Sequence, residues 1–113
     1  MDPRKFDQHV RRLFVKPSDE TGRLLHAAVG VAGEAGELLD GIKKHWIYGK
    51  ALDRENLIEE CGDLLFYVQA ILNELGISMD DAMRQNMEKL ARRYPEGYSD
   101  TAAIERADKN PSP

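Results

Sequence analysis

A chain of 113 residues with 42% hydrophobic and 32% charged side chains has room for one globular domain and is too apolar for a disordered one. Its 16 basic and 20 acidic residues give a formal charge of −4, which argues against a broad nucleic-acid-binding face and leaves a small anionic substrate open; a single cysteine, Cys61, excludes an internal disulfide or a cysteine-built zinc site. No run approaches the roughly 20 apolar residues of a membrane span, and Met1–Val10 carries Asp2, Arg4, Lys5 and Asp7 where a signal peptide is apolar, so a cytoplasmic protein without a membrane partner is expected.

Glycines and prolines divide the chain into four segments of helical periodicity, none with sustained period-two alternation, and the expected fold is all-α, four-helix bundle-like and oligomeric. The first helix starts with Asp2 as N-cap and Pro3 in the first turn, carries Phe6, Val10, Leu13 and Phe14 on one face, and stops at Pro17. The second runs from Ser18 or Asp19 to about Trp46, with an apolar stripe of Leu24, Ala28, Val31, Ala35, Leu38, Leu39, Ile42 and Trp46. Asp53 caps a third helix that continues to Leu75 and stops at Gly76, and Ser78 caps a fourth from Met79 to Tyr94. Residues 1–98 are thus the expected domain, and 99–113 read as a polar tail that orders only against a partner subunit.

On the second helix Gly30, Glu34, Glu37, Gly41 and His45 share one line beside the apolar stripe. Each interior glycine costs about 0.5–1 kcal/mol against alanine, so Gly30, Gly33, Gly36 and Gly41 call for close helix packing or a ligand against the backbone. The third helix repeats the arrangement, with Asn56, Glu60, Asp63, Tyr67 and Glu74 flanking a stripe of Leu57, Cys61, Leu64, Val68, Ile71 and Leu75. Side by side, Glu34, Glu37, Glu60 and Asp63 would crowd four like charges together unless cations neutralise them, and oxygen ligands without histidine or cysteine suit Mg²⁺ or Mn²⁺. A di-iron bundle wants Glu-x-x-His, whereas Glu37 and Asp63 stand three residues after Glu34 and Glu60. Solvated acidic faces beside a tight helix crossing are the plain alternative, which would make the protein a non-enzymatic α-helical interaction module. Ile58, Leu65 and Phe66 point away from the Leu57–Leu75 stripe, so the third helix is apolar on two sides and predicts a second subunit.

On the fourth helix Asn86, Lys89 and Arg93 share a line, with Arg92 adjacent; the cations suit phosphate oxygens and Asn86 suits a base, a sugar or a water. Carboxylates for Mg²⁺ on two helices and cations on another are the parts needed to hold and cleave a polyphosphate. His9 and His26 read as surface or core, His45 lies on the acidic line, and Cys61 reads as packing. The base pocket is expected beside helix two, where Gly30 and Gly33 leave the backbone uncovered, with Trp46 or Tyr67 at its border.

The runs Gly33-Glu34-Ala35-Gly36-Glu37-Leu38 and Glu59-Glu60-Cys61-Gly62-Asp63-Leu64-Leu65, then Asn86-Met87-Glu88-Lys89-Leu90 ahead of Arg93-Tyr94-Pro95, resemble the MazG-like nucleotide pyrophosphohydrolases of the all-α NTP pyrophosphatase superfamily over about Leu24 to Tyr98. The resemblance implies hydrolysis of a nucleoside triphosphate between the α and β phosphates to the monophosphate and diphosphate, with Mg²⁺ held by Glu34, Glu37, Glu60 and Asp63, in a homodimer or homotetramer with shared active sites. It also makes dGTP or GTP the first candidate substrate, since some compact phage-type relatives prefer dGTP. A phosphoribosyl-ATP pyrophosphohydrolase shares the superfamily and its carboxylates, and the Arg-Tyr-Pro run lowers its standing.

Overall fold

A computed structural model describes residues 1–109 and places them in five helices: α1 (Pro3–Leu13), α2 (Glu20–Tyr48), α3 (Arg54–Leu75), α4 (Met79–Arg93) and α5 (Asp100–Glu105). No strand forms among the described residues, and no helix there is long and apolar enough to cross a membrane.

Each helix starts where a short polar side chain can take a free backbone N–H. Asp2 accepts from Arg4 N at 2.9 Å, Asp19 from Gly22 N at 2.9 Å, Asp53 from Asn56 N at 3.1 Å, Ser78 from Asp81 N at 3.0 Å and Ser99 from Ala102 N at 3.0 Å. Each such cap contributes about 1 kcal/mol. The stops of α2 and α3 need left-handed backbone, supplied by Gly49 (φ 65°) and Gly76 (φ 70°). Three boundaries differ from the sequence expectation. α1 ends at Leu13 rather than running to Pro17, α2 continues past Trp46 to Tyr48, and α4 ends at Arg93 with Tyr94 as its C-cap.

The chain forms two compact units, divided between Ile77 and Ser78. In the first, the long α2 packs along α3 and α1 packs on α3. Val10, Ala27 and Ala70 are fully buried between them, with Phe6, Phe14, Phe66 and Ile71 against that cluster. Arg23 bridges α2 to α3 through a fork on Glu74 (2.5 and 3.0 Å) and donates to the carbonyls of Pro17 and Ser18, which ties the α1–α2 connection to the core. In the second unit α5 packs on α4, and Arg93 grips Asp108 with two hydrogen bonds of 2.8 and 3.2 Å. A fifth helix thus stands where the sequence suggested a polar tail. Its six residues are too few for a clear apolar period, and only the Ser99 cap marked it.

The packing of α2 on α3 uses small and polar positions as well as part of the apolar stripes. A Cβ on Gly30 would meet the Tyr67 ring at 2.4 Å, and one on Gly41 would meet Leu57 at 3.2 Å, so two of the helix glycines are there for close approach. Glu60 is buried and Glu34 half-buried on this seam, while Leu39 (66%), Ile58 (72%) and Trp46 (80%) are exposed and Cys61 also faces out. Of the stripes named from periodicity, Leu24, Val31, Leu38, Leu57, Leu64, Val68 and Ile71 are half-buried in this unit, while Leu39, Ile42, Trp46, Cys61 and Leu75 stay exposed. Periodicity finds a line of apolar residues but not which neighbour covers it.

Candidate active site

The seam between α2 and α3 carries the carboxylates. Glu34 and Glu37 stand one helical turn apart on α2, and Glu60 enters from the second turn of α3, so that one oxygen from each lies within 4.8 Å of the other two. Glu60 is only 7% exposed, and neither its Oε2 nor the Oε2 of Glu34 has a hydrogen-bond partner although both atoms are buried. A buried carboxylate oxygen without a donor is costly, and three such groups together repel one another. Sharing a hydrogen bond with Glu34, then burial, then Glu37, pushes the Glu60 carboxyl up to about 8 from its ordinary 4.5. A hard cation answers the orphaned oxygens and the mutual repulsion at once, and an all-oxygen donor set suits Mg²⁺ or Mn²⁺.

Two clefts border this cluster. One, of about 750 Å³, is lined by residues of α2, the α2–α3 connection and the start of α3, among them Gly33, Glu37, Lys44, Lys50, Asn56 and Glu60. Lys44 pairs with Asp40 at 3.1 Å, and His45 Nδ1 donates to the carbonyl of Lys50 at 2.7 Å, which fixes the chain just after the Gly49 stop. The other, of about 380 Å³, lies between α1, α2 and α3 and is lined by His9, Leu13, Glu34, Asp63, Phe66 and Tyr67. Its walls are rings. His9 meets Phe66 edge-on with centroids 6.0 Å apart, and Phe66 meets Tyr67 edge-on at 5.4 Å.

Of the residues singled out by sequence, Glu34, Glu37 and Glu60 come together and Asp63 does not join their oxygen cluster; it faces the ring-lined cleft beside Glu34. Gly33 is open, with nothing within 4 Å of a Cβ placed on it, and lines the larger cleft. Gly30 is not open, because the Tyr67 ring fills the space its missing side chain leaves, and Trp46 is exposed and lines neither cleft. The expected base pocket at Gly30 is thus closed. Asn86 and Lys89 belong to the second unit, where they line a cleft of about 420 Å³ with Gln85, Arg92 and Lys109. Arg93 is committed to Asp108 rather than presenting a free guanidinium.

Sequence reasoning did not single out Lys44 or Lys50, and it read His9 as surface or core. Lys44 stands seven residues beyond Glu37, two turns along the same face, a spacing that was visible. Nothing local marks Lys50 or His9, which reach their clefts through the α2–α3 connection and through the packing of α1 on α3.

The family model described as MazG nucleotide pyrophosphohydrolase domain matches residues 24–98, a span that includes all three clustered glutamates. Among curated proteins, the chain is 29% identical over 83 residues to the Gene 37 protein of Mycobacterium phage L5, covering 70% of this chain and 73% of that protein. It is also 30% identical over 70 residues to the uncharacterized protein YvdC of Bacillus subtilis (strain 168), covering 54% of this chain and 66% of that one. No solved structure matches the chain.

Proposed function

Because the chain belongs to the MazG nucleotide pyrophosphohydrolase family, we propose that it is a Mg²⁺-dependent hydrolase that splits a nucleoside or deoxynucleoside triphosphate between the α and β phosphates, giving the monophosphate and diphosphate. The observation that carries this reading is the α2–α3 seam, where three glutamates converge with two buried, unpartnered oxygens beside clefts of substrate size.

Glu34, Glu37 and Glu60 would hold the cation, and Asp63, one turn past Glu60 and lining the cleft beside Glu34, is assigned as the fourth carboxylate on the family resemblance. A bound Mg²⁺ supplies neutralisation of phosphate charge and a water acidified toward neutral pH. Without it, Glu60 keeps a proton on its carboxyl up to about pH 8, a proton that a bound cation would displace. Tyr67, whose ring packs over Gly30, lines the smaller cleft together with Glu34 and Asp63, and Gly33 leaves backbone open in the larger one. Asn86, Lys89 and Arg93 are assigned to substrate binding on their spacing, with Arg93 held by Asp108 in this structure.

The preferred base is assigned to guanine, as dGTP or GTP, on the family resemblance. The assembly is taken as a homodimer or homotetramer; exposed Leu25, Val29, Leu39, Ile58 and Leu65 on α2 and α3 support it. Incubating the purified protein with Mg²⁺ and each common NTP and dNTP tests the chemistry, with monophosphate and diphosphate expected. Orthophosphate and nucleoside diphosphate as products would reject the bond assignment, and kcat/KM values within about threefold across the panel would reject any base preference.

A further inference from the structure

The cleft of the second unit is cationic, with a carboxylate set into it. Lys89, Arg92 and Lys109 line it with Asn86 and Asp108, while Arg93, on the same helix line as Asn86 and Lys89, is not part of its wall. The Asp108 side chain is 1% exposed and turns two oxygens onto the Arg93 guanidinium, 2.8 and 3.2 Å away. We infer that Asp108 is a built-in stand-in for a phosphate: the C-terminal segment competes with the phosphate groups of the nucleotide for Arg93 and withdraws when they bind.

A carboxylate and a phosphate offer a guanidinium the same bidentate face, two oxygens for two parallel N–H groups, so one fork serves either. The pair is closed on itself. Arg93 holds the Asp108 carboxyl below its ordinary 3.8, and Asp108 in turn pushes the Arg93 guanidinium up. A phosphate chain brings more charge than the carboxylate it would replace, and cations to receive that charge already line the cleft: Lys89, Arg92 and Lys109 form no ion pair among the described residues. The segment that carries Asp108 is lightly built. α5 has six residues, too few to be stable alone, and its Ile104 is 81% exposed. The turn after it passes through Arg106 at φ 49°, a left-handed conformation that costs a residue with a side chain, and the Lys109 N–H then returns to the Arg106 carbonyl at 2.8 Å.

The latch rests on the hydrolase reading, which supplies the phosphate, and is tested by measurements that do not depend on turnover. A tethered carboxylate that closes the site about nine-tenths of the time weakens apparent affinity about tenfold. Calorimetry with inorganic diphosphate and Mg²⁺ on the full chain is therefore expected to show about tenfold tighter binding to Asp108→Asn than to wild type. Glu88→Gln, which removes a charge from the same cleft without touching the fork, is expected to stay within about twofold of wild type. Arg93→Gln added to Asp108→Asn is expected to cancel the gain. Diphosphate is also expected to speed trypsin cleavage of the wild-type chain after Arg106, whose turn is released with Asp108, and to leave cleavage of Asp108→Asn, already open, unchanged. Equal gains from Asp108→Asn and Glu88→Gln, a gain that survives Arg93→Gln, weaker binding by Asp108→Asn, no binding by any of the proteins, or wild-type cleavage unaffected by diphosphate would each overturn the latch. The hydrolase reading fails separately, on which products the wild-type protein releases.

Discussion

Glu60 is the residue on which the site's electrostatics turn. Its carboxyl sits on a seam made by two helices and shares that seam with Glu34 and Glu37, so the folded protein holds its proton more tightly than the unfolded chain does. A folded-state value raised from 4.5 to about 8 contributes stability that is fully present below about pH 4.5 and is lost as pH rises through 8. The cation-free protein is therefore expected to melt at a lower temperature near pH 8.5 than near pH 5.5, and millimolar Mg²⁺ should remove most of that difference by replacing the proton. Glu60→Gln should flatten the pH dependence and abolish the response to Mg²⁺. A melting temperature indifferent to both pH and Mg²⁺ would favour the interaction-module reading. At the same scale, Glu37→Gln and Asp63→Asn keep side-chain shape and lose charge, so each is expected to lower kcat/KM by about a hundredfold or more with the fold intact or more stable. Steady-state kinetics alongside thermal melts checks both, and near-normal turnover would remove that carboxylate from the site.

At the scale of the helices, the glycines separate into two kinds. Gly30 lets α3 bring Tyr67 against the α2 backbone, and Gly30→Ala would drive a methyl into that ring; since Tyr67 packs among Phe14, His26 and Phe66, it has little freedom to retreat. A loss of about 1–3 kcal/mol in urea unfolding is expected. Gly62 has nothing within 4 Å of a Cβ, so Gly62→Ala should stabilise α3 by about 0.5–1 kcal/mol through helix propensity. Equal effects at the two positions would show that close approach at Gly30 is not what the sequence selects. The helix ends were legible because caps act locally: Asp2, Asp19, Asp53 and Ser78 each serve an N–H two or three residues on, and Gly49 and Gly76 each supply one left-handed residue. α5 was not legible, because six residues are too few for an apolar period, and the Arg93–Asp108 pair in the same unit spans 15 positions of sequence.

For the whole molecule, large apolar side chains stay exposed on the three-helix unit, among them Leu39, Ile58 and Trp46. Size-exclusion chromatography with light scattering is expected to give at least a dimer, and Ile58→Glu is expected to shift it toward monomer; a wild-type monomer at tens of micromolar would reject the oligomer proposal. A dimer would also offer burial to the stripe residues that stay exposed in the single unit, such as Leu39, Ile42 and Trp46.

What the sequence determined by itself was whatever depends on near neighbours in the chain. Helical class, caps and stops, and the i, i+3 pairing of Glu34 with Glu37 and of Glu60 with Asp63 all follow from backbone geometry within a turn or two. The family motifs were equally local, being short runs in fixed order. Tertiary structure alone decided which face of each helix turned inward, and with it that Glu34, Glu37 and Glu60 meet while Asp63 faces the neighbouring cleft, that Tyr67 closes Gly30, and that His9 and Lys50 reach the site's borders. The physical reason is that a helix offers several faces of comparable hydrophobicity, and the choice among them is made by long-range packing, here the close approach at Gly30 and the anchoring of α1 on α3, which no window along the chain contains.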